Sequence, residues 1–186
     1  MPERNFGEFY GVCIKDQQVN TALADGIVLN LSINKHEQSL KTSVSFTHLV
    51  ERRLLFAAER SICHTLNLLS VHIYPKFPAQ AFSKEYYHDL IAELRKRKAT
   101  VNGFLDDSIL EIMDGKLSVR LFHGGYDILK SSNCGEALSD LIEEEFGIRY
   151  TVEFTGQLTI TPEQMESLQN VKPKPVSQAF VGLSSE

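Results

Sequence analysis

Asp114-Gly115 sits between two runs that alternate apolar and polar residues, Ile109-Leu-Glu-Ile-Met113 and Lys116-Leu-Ser-Val-Arg-Leu-Phe122. No other pair of residues constrains this chain as tightly. A two-residue hairpin loop of type I′ needs positive φ at both central positions, which Asp-Gly adopts readily. Such a loop also fixes register. Met113 then faces Lys116, Ile112 faces Leu117, Glu111 faces Ser118 and Leu110 faces Val119. Leu110, Ile112, Leu117 and Val119 share one face, with Leu121 following, while Glu111, Ser118 and Arg120 fall on the other. A slip of one residue inverts both strands, so turn and alternation specify the same pairing.

A helix and a returning strand follow. Asn133-x-x-Glu136 has the form of a capping box. Leu138, Leu141, Ile142 and Phe146 recur at helical spacing, and Gly147 suits the position just past a helix end. Tyr150, Val152 and Phe154 then alternate with Thr151 and Glu153. Earlier in the chain, Phe6, Phe9, Tyr10, Val12 and Ile14 fit a short strand or an arm spanning residues 1–23. Ile27, Leu29, Leu31 and Ile33 alternate as a strand, with Asn34 to Lys41 as a turn and Thr42, Val44 and Phe46 as its return. A helix is expected from a Thr47 cap, with Val50, Leu54, Ala57, Ala58, Ile62 and Leu66 as its apolar stripe. Leu69, Val71 and Ile73 read as a strand that Pro75 and Pro78 end. A second helix is expected from about Lys84 to Lys98 with Ser83 as its cap, and with Tyr87, Leu90, Ile91 and Leu94 buried. Val101 to Asp107 has turn chemistry, and His123-Gly-Gly closes the hairpin's exit. No internal repeat is visible. Residues 157–186, with Lys172-Pro-Lys-Pro-Val and a Ser-rich end, read as linker or disordered tail.

A chain of 186 residues, 42% hydrophobic and 23% charged, has the size and composition of one globular domain with an ordinary core. Its net charge of −5 argues against a dedicated nucleic-acid binder. Cys13, Cys63 and Cys134 are odd in number and lack metal-ligand spacing, which fits a reducing, cytoplasmic setting. No apolar run reaches the ~18 residues of a membrane-spanning helix.

The residues assemble no active site on paper, so the expected catalytic, cofactor and metal residues are none. Arg95-Lys96-Arg97-Lys98 is the one basic cluster. It reads either as a phosphate patch or as cations that complement a helix C-terminus. His123-Gly124-Gly125 has the form of an esterase oxyanion loop, but no Gly-x-Ser-x-Gly elbow accompanies it. Asp106 and Asp107 read either as a metal-holding or acid–base pair or as a turn before the hairpin, and adjacent carboxylates on a strand-like chain point apart. Glu143, Glu144 and Glu145 lie late in a helix, where the macrodipole disfavours them. They form either a partner surface or a solvated face. Cys63 and His64 are helix neighbours about 100° apart, and so cannot act as a dyad.

Four segments in order carry a resemblance. They are Val71-His-Ile-Tyr-Pro-Lys-Phe-Pro78, Val101-Asn-Gly-Phe-Leu-Asp-Asp-Ser108, Asp114-Gly-Lys-Leu-Ser-Val-Arg-Leu-Phe-His-Gly-Gly125 and Leu138-x-x-Leu-Ile-x-Glu-Glu-Phe-Gly147. Together they resemble the N-terminal domain of the PolC-type DNA polymerase III α subunit, a replicative polymerase family of low-GC Gram-positive bacteria. The resemblance spans residues 24–156. It implies an α+β fold, with a small mixed or antiparallel sheet packed against helices. The expected fold is KH-like and similar to the C-terminal domain of the clamp-loader τ subunit. It further implies a non-catalytic module for contacts with other replisome proteins, the clamp-loader τ subunit among them. The polymerase and exonuclease regions of that family have no counterpart in this chain. The alternative is a weak single-strand-binding module that uses Arg95 to Lys98 with Tyr86 or Tyr87 as stacking platforms. The chain lacks the Gly-x-x-Gly loop of nucleic-acid-binding KH domains.

Overall fold

The Asp114-Gly115 turn anchors half of the molecule. A computed structural model describes residues 4–101 and 103–156. In it β4 (Ile109–Met113) and β5 (Lys116–Arg120) pair antiparallel in the register derived above, from Met113 against Lys116 to Leu110 against Val119. Gly115 has φ of 71°, as the turn requires. Leu110, Leu117 and Val119 are buried, while Ile112 is half-buried at the sheet margin. Two helices follow, α5 (Tyr126–Ser131) and α6 (Cys134–Phe146). The chain then returns as β6 (Thr151–Thr155), parallel to β5. A parallel return needs a crossover, and the two helices supply it while covering the sheet's apolar face. Leu138, Leu141 and Ile142 of α6 are fully buried in the same core as Leu117 and Val119. Each such side chain contributes roughly 1.5–3 kcal/mol by leaving water.

The first half follows the same plan. β1 (Ile27–Asn34) and β2 (Ser39–Ser45) pair antiparallel, α3 (Arg52–Thr65) crosses over, and β3 (Ser70–Lys76) lies parallel to β2. The two sheets therefore have the orders β1-β2-β3 and β4-β5-β6 with identical relative directions. This is a repeat of connectivity, unseen in the sequence because the two units share no residue pattern. Between them α4 (Tyr87–Arg97) packs on both α3 and α6. The seam is aromatic: Phe77 lies within 6.0 Å, centroid to centroid, of Phe46, Tyr86 and Phe146. One continuous core runs through both halves.

Several local expectations are corrected. The N-terminal strand or arm is helical instead: α1 (Phe6–Tyr10) and α2 (Gln17–Leu23) flank a 3-10 turn, and Phe6, Tyr10, Val19 and Leu23 are buried. Asp16 caps α2 by accepting from the Gln18 and Val19 amides at 2.9 and 3.2 Å. Thr47 does not cap α3, which begins after Glu51. α4 begins after Tyr86 rather than after Ser83. Pro75 lies inside β3, where its missing N–H faces the outer edge and removes no ladder bond. The capping box at Asn133 does not form. Asn133 has φ of 52° in the tight α5–α6 turn and caps nothing with its side chain, while Glu136 pairs with Arg149 at 3.2 Å. α5 was not foreseen; Gly125, at φ of 80°, starts it with the Phe104 ring against its Cα. Gly147 does end α6, its N–H donating to the Glu143 carbonyl at 2.9 Å. The expected tail at 157–186 lies outside the described residues.

Candidate functional site

α3 turns one face to the core through Leu55, Ala58 and Ile62, and a second face toward the outer edge of β3. Phe56, Arg60, Cys63 and His64 recur on that second face at helical spacing. The helix ends in a Schellman turn. Asn67 has φ of 51°, the Leu68 N–H donates to the Cys63 carbonyl at 2.9 Å, and the Asn67 N–H to that of His64 at 3.4 Å. That turn folds Leu68 and Leu69 back beside Cys63, whose thiol donates to the Leu68 carbonyl at 2.9 Å. The result is a groove of about 660 Å³ between α3 and β3. Phe56, Leu68, Leu69 and Val71 give it an apolar floor, and Arg60, His64, His72 and Lys96 line its rim.

Glu59 closes one side. Its carboxylate is buried, accepting the Ile73 N–H at 2.8 Å on one oxygen and the Lys96 ammonium at 2.6 Å on the other. Lys96 also lies 4.7 Å from the Phe56 ring centroid. With Lys96 engaged by Glu59, Arg60 is the remaining arginine or lysine along the groove. Only Asn67 signalled the groove in the sequence, as a residue that tolerates the left-handed conformation after a helical stripe.

The basic cluster is brought together and then consumed. Arg95 pairs with Asp106, Lys96 with Glu59, and Arg97 with Glu93 at 2.9 Å and Glu144 at 2.7 Å. Lys98 donates to the Ser132 carbonyl at 2.6 Å. Burial opposes the Arg97 charge, but Glu144 and Glu93 hold its guanidinium above the ordinary range. Tyr86 and Tyr87 are buried, so neither offers a stacking face to a base. Burial pushes the Tyr87 hydroxyl up to about 12, opposed by its 2.8 Å hydrogen bond with Ser108.

The acidic run divides. Glu143 and Glu144 are exposed and pair with Arg149 and Arg97. Glu145 is 3% exposed and cannot face a partner. Its Oε1 meets the Arg52 guanidinium, itself 2% exposed, and Glu93 approaches Arg52 to 3.9 Å from α4. Burial opposes the Arg52 charge, but Glu145, Tyr86 and Glu93 keep it above its usual range. Burial pushes the Glu145 carboxyl up to about 7, against the pull of Arg52. Among the described residues its Oε2, the Arg52 Nε and the Tyr86 hydroxyl find no hydrogen-bond partner. This cluster clamps α3, α4 and α6 together at the seam.

Asp107, at φ of 55° in an exposed turn, places its Oδ2 3.2 Å from the His123 Nε2. Among the described residues no three His, Cys, Asp or Glu side chains gather to hold a metal ion, and no helix is long and apolar enough to cross a membrane. The three cysteines are free thiols, Cys13 and Cys134 buried and Cys63 half-buried. Comparisons with protein-family models, curated proteins and solved structures find no match to this chain.

Proposed function

We propose that this chain is a non-catalytic protein-interaction module of a replicative DNA polymerase of the PolC type, and that the clamp-loader τ subunit is its partner. The replication role rests on the four ordered segments named above. The observation that carries the interaction role is the groove between α3 and β3. It offers an apolar lining with the Arg60 guanidinium beside it, the chemistry that receives an extended or helical protein segment bearing an acidic residue.

The second half has the element order of a KH unit: a helix, a hairpin, two helices joined by a tight turn, and a third strand parallel to the second. KH domains that clamp nucleic acid carry Gly-x-x-Gly between those helices. Here Ser132-Asn133 fills that turn, and Lys98 ties down the Ser132 carbonyl. That detail, with four engaged cations and buried Tyr86 and Tyr87, favours a protein partner over single-stranded nucleic acid.

The test is calorimetric titration of the full chain with purified τ subunit, alongside anisotropy with a labelled oligonucleotide at about 150 mM salt. We expect τ binding that weakens at least tenfold in Arg60→Glu, and oligonucleotide binding no tighter than about 10⁻⁴–10⁻⁶ M. Four phosphate contacts on a single strand would give a salt slope of only about −3. Sub-micromolar oligonucleotide binding, lost when Arg95, Lys96, Arg97 and Lys98 become Ala, makes this a nucleic-acid module instead. No binding to τ removes the replisome assignment.

A further inference from the structure

The two edges of the first sheet are treated differently. On β3 the outward positions from Ile73 onward are closed in turn, while Val71 lines the groove. The Ile73 N–H is taken by Glu59 at 2.8 Å, Pro75 has no N–H, and the Phe77 N–H donates to the Glu145 carbonyl at 2.7 Å. Among the described residues β1 is covered only at its beginning: Asn5 bridges to Ile27, and the Val28 N–H donates to the Arg4 carbonyl at 3.0 Å. A bulge between Val28 and Asn30 ends that cover. Leu29, within the bulge, is 58% exposed, and beyond it Leu31 and Ile33 are 40% and 58% exposed. The neighbours of Leu31 and Ile33 across the ladder, Thr42 and Leu40, are buried, so these two side chains continue the core face past the sheet's edge.

Strand edges are ordinarily guarded by charge, by proline or by a covering segment. The strand Ile27-Val-Leu-Asn-Leu-Ser-Ile-Asn34 has neither a charged residue nor a proline. Its pattern also reads alike in both directions about Leu31. Antiparallel pairing on a twofold axis there sets Leu31 against Leu31, Leu29 against Ile33 and Asn30 against Ser32. Such an interface is isologous and closes at two subunits. Acidic or basic peptides find no counter-charge on this strand, whereas a second copy meets apolar with apolar and amide with hydroxyl.

We propose that β1 pairs antiparallel with β1 of a second copy, joining two three-stranded sheets into one of six strands. This surface is separate from the groove on β3, and neither proposal needs the other. A strand pair alone is small beside the ~1,200–2,000 Å² of standard interfaces, so the dimer is expected to be weak. Its formation opposes the repulsion of two copies of net charge −5, so added salt strengthens it.

Sedimentation velocity on the full chain from about 5 to 500 μM, a range suited to micromolar association, reads the outcome. We expect a shift from monomer to dimer with concentration, favoured by salt. Leu31→Lys sets like charges across the axis, and should weaken association at least tenfold with an unchanged circular dichroism spectrum. Ile33→Lys serves as a second variant should that one misfold. Met113→Lys, an exposed position on β4, should leave the dimer intact. A monomer at every concentration overturns the proposal, as does a dimer that survives both lysine substitutions on β1. A monomer whose β1 amides become protected only with another protein gives the edge to that partner and equally overturns it.

Discussion

Replacing Glu145 by Gln tests the clamp at the seam through its pH dependence. The carboxyl is buried, one oxygen finds no partner among the described residues, and Glu93 competes for the same guanidinium. Its pKa is therefore raised, from an ordinary 4.5 to about 7. A group with a raised folded-state pKa binds more protons when folded. Its stability contribution is complete below 4.5 and is lost as pH rises through 7. The loss is worth at most about 1.4 kcal/mol per pH unit across that window, or about 3 kcal/mol in all. Gln keeps the shape and the acceptor toward Arg52 but cannot ionise. The assay is urea unfolding of both proteins between about pH 4.5 and 8, followed by tyrosine fluorescence since the chain has no Trp. Subtracting the two curves cancels the histidines and every other common group. The wild type should lose about 3 kcal/mol relative to Glu145→Gln from the acid to the alkaline end. A flat difference would refute this reasoning. A difference that rises with pH would show that the Arg52 ion pair outweighs the burial.

Two further substitutions probe the second half. Leu117→Ala truncates a fully buried side chain opposite Ile112 and should cost about 2–5 kcal/mol in urea melts, with the hairpin register unchanged by NMR. Gly125→Ala places a methyl group into the Phe104 ring at a φ of 80° and should cost about 1–3 kcal/mol. Combining it with Phe104→Ala should recover part of that loss in a double-mutant cycle.

What the sequence disclosed was local. Asp114-Gly115 carried its own register because turn geometry and alternation are both short-range properties. The stripes of α3, α4 and α6 were visible for the same reason. The helices between Phe6 and Leu23 were not legible because Phe6, Phe9, Tyr10 and Val12 have no clean period, falling in one short helix and the 3-10 turn after it. Glu145 stands beside Glu143 and Glu144 in sequence, but helical rotation points it inward to Arg52, ninety-three positions earlier. The pairing of the basic run was equally out of view: its partners Glu59, Asp106, Glu144 and Ser132 come from four different segments. The groove depends on the distance between a helix face and a strand edge, a property of the assembled sheet. Ile27 to Ile33 was read correctly as a strand, yet its apolar face is half uncovered, because alternation reports which side a residue takes and not what lies above it.

The paired plan of the two sheets bears on how the chain loses its structure. Each unit alone is a hairpin, a crossover and one strand, too small to bury its own face well. What completes both interiors is the seam of Phe46, Phe77, Tyr86 and Phe146 with Arg52 locked beneath it. Cutting the connection between Phe77 and Tyr87 leaves each product with one side of that seam in water. The halves are thus duplicates in connectivity and dependents in energy: heat or denaturant should melt them in a single cooperative transition, with neither sheet outliving the other.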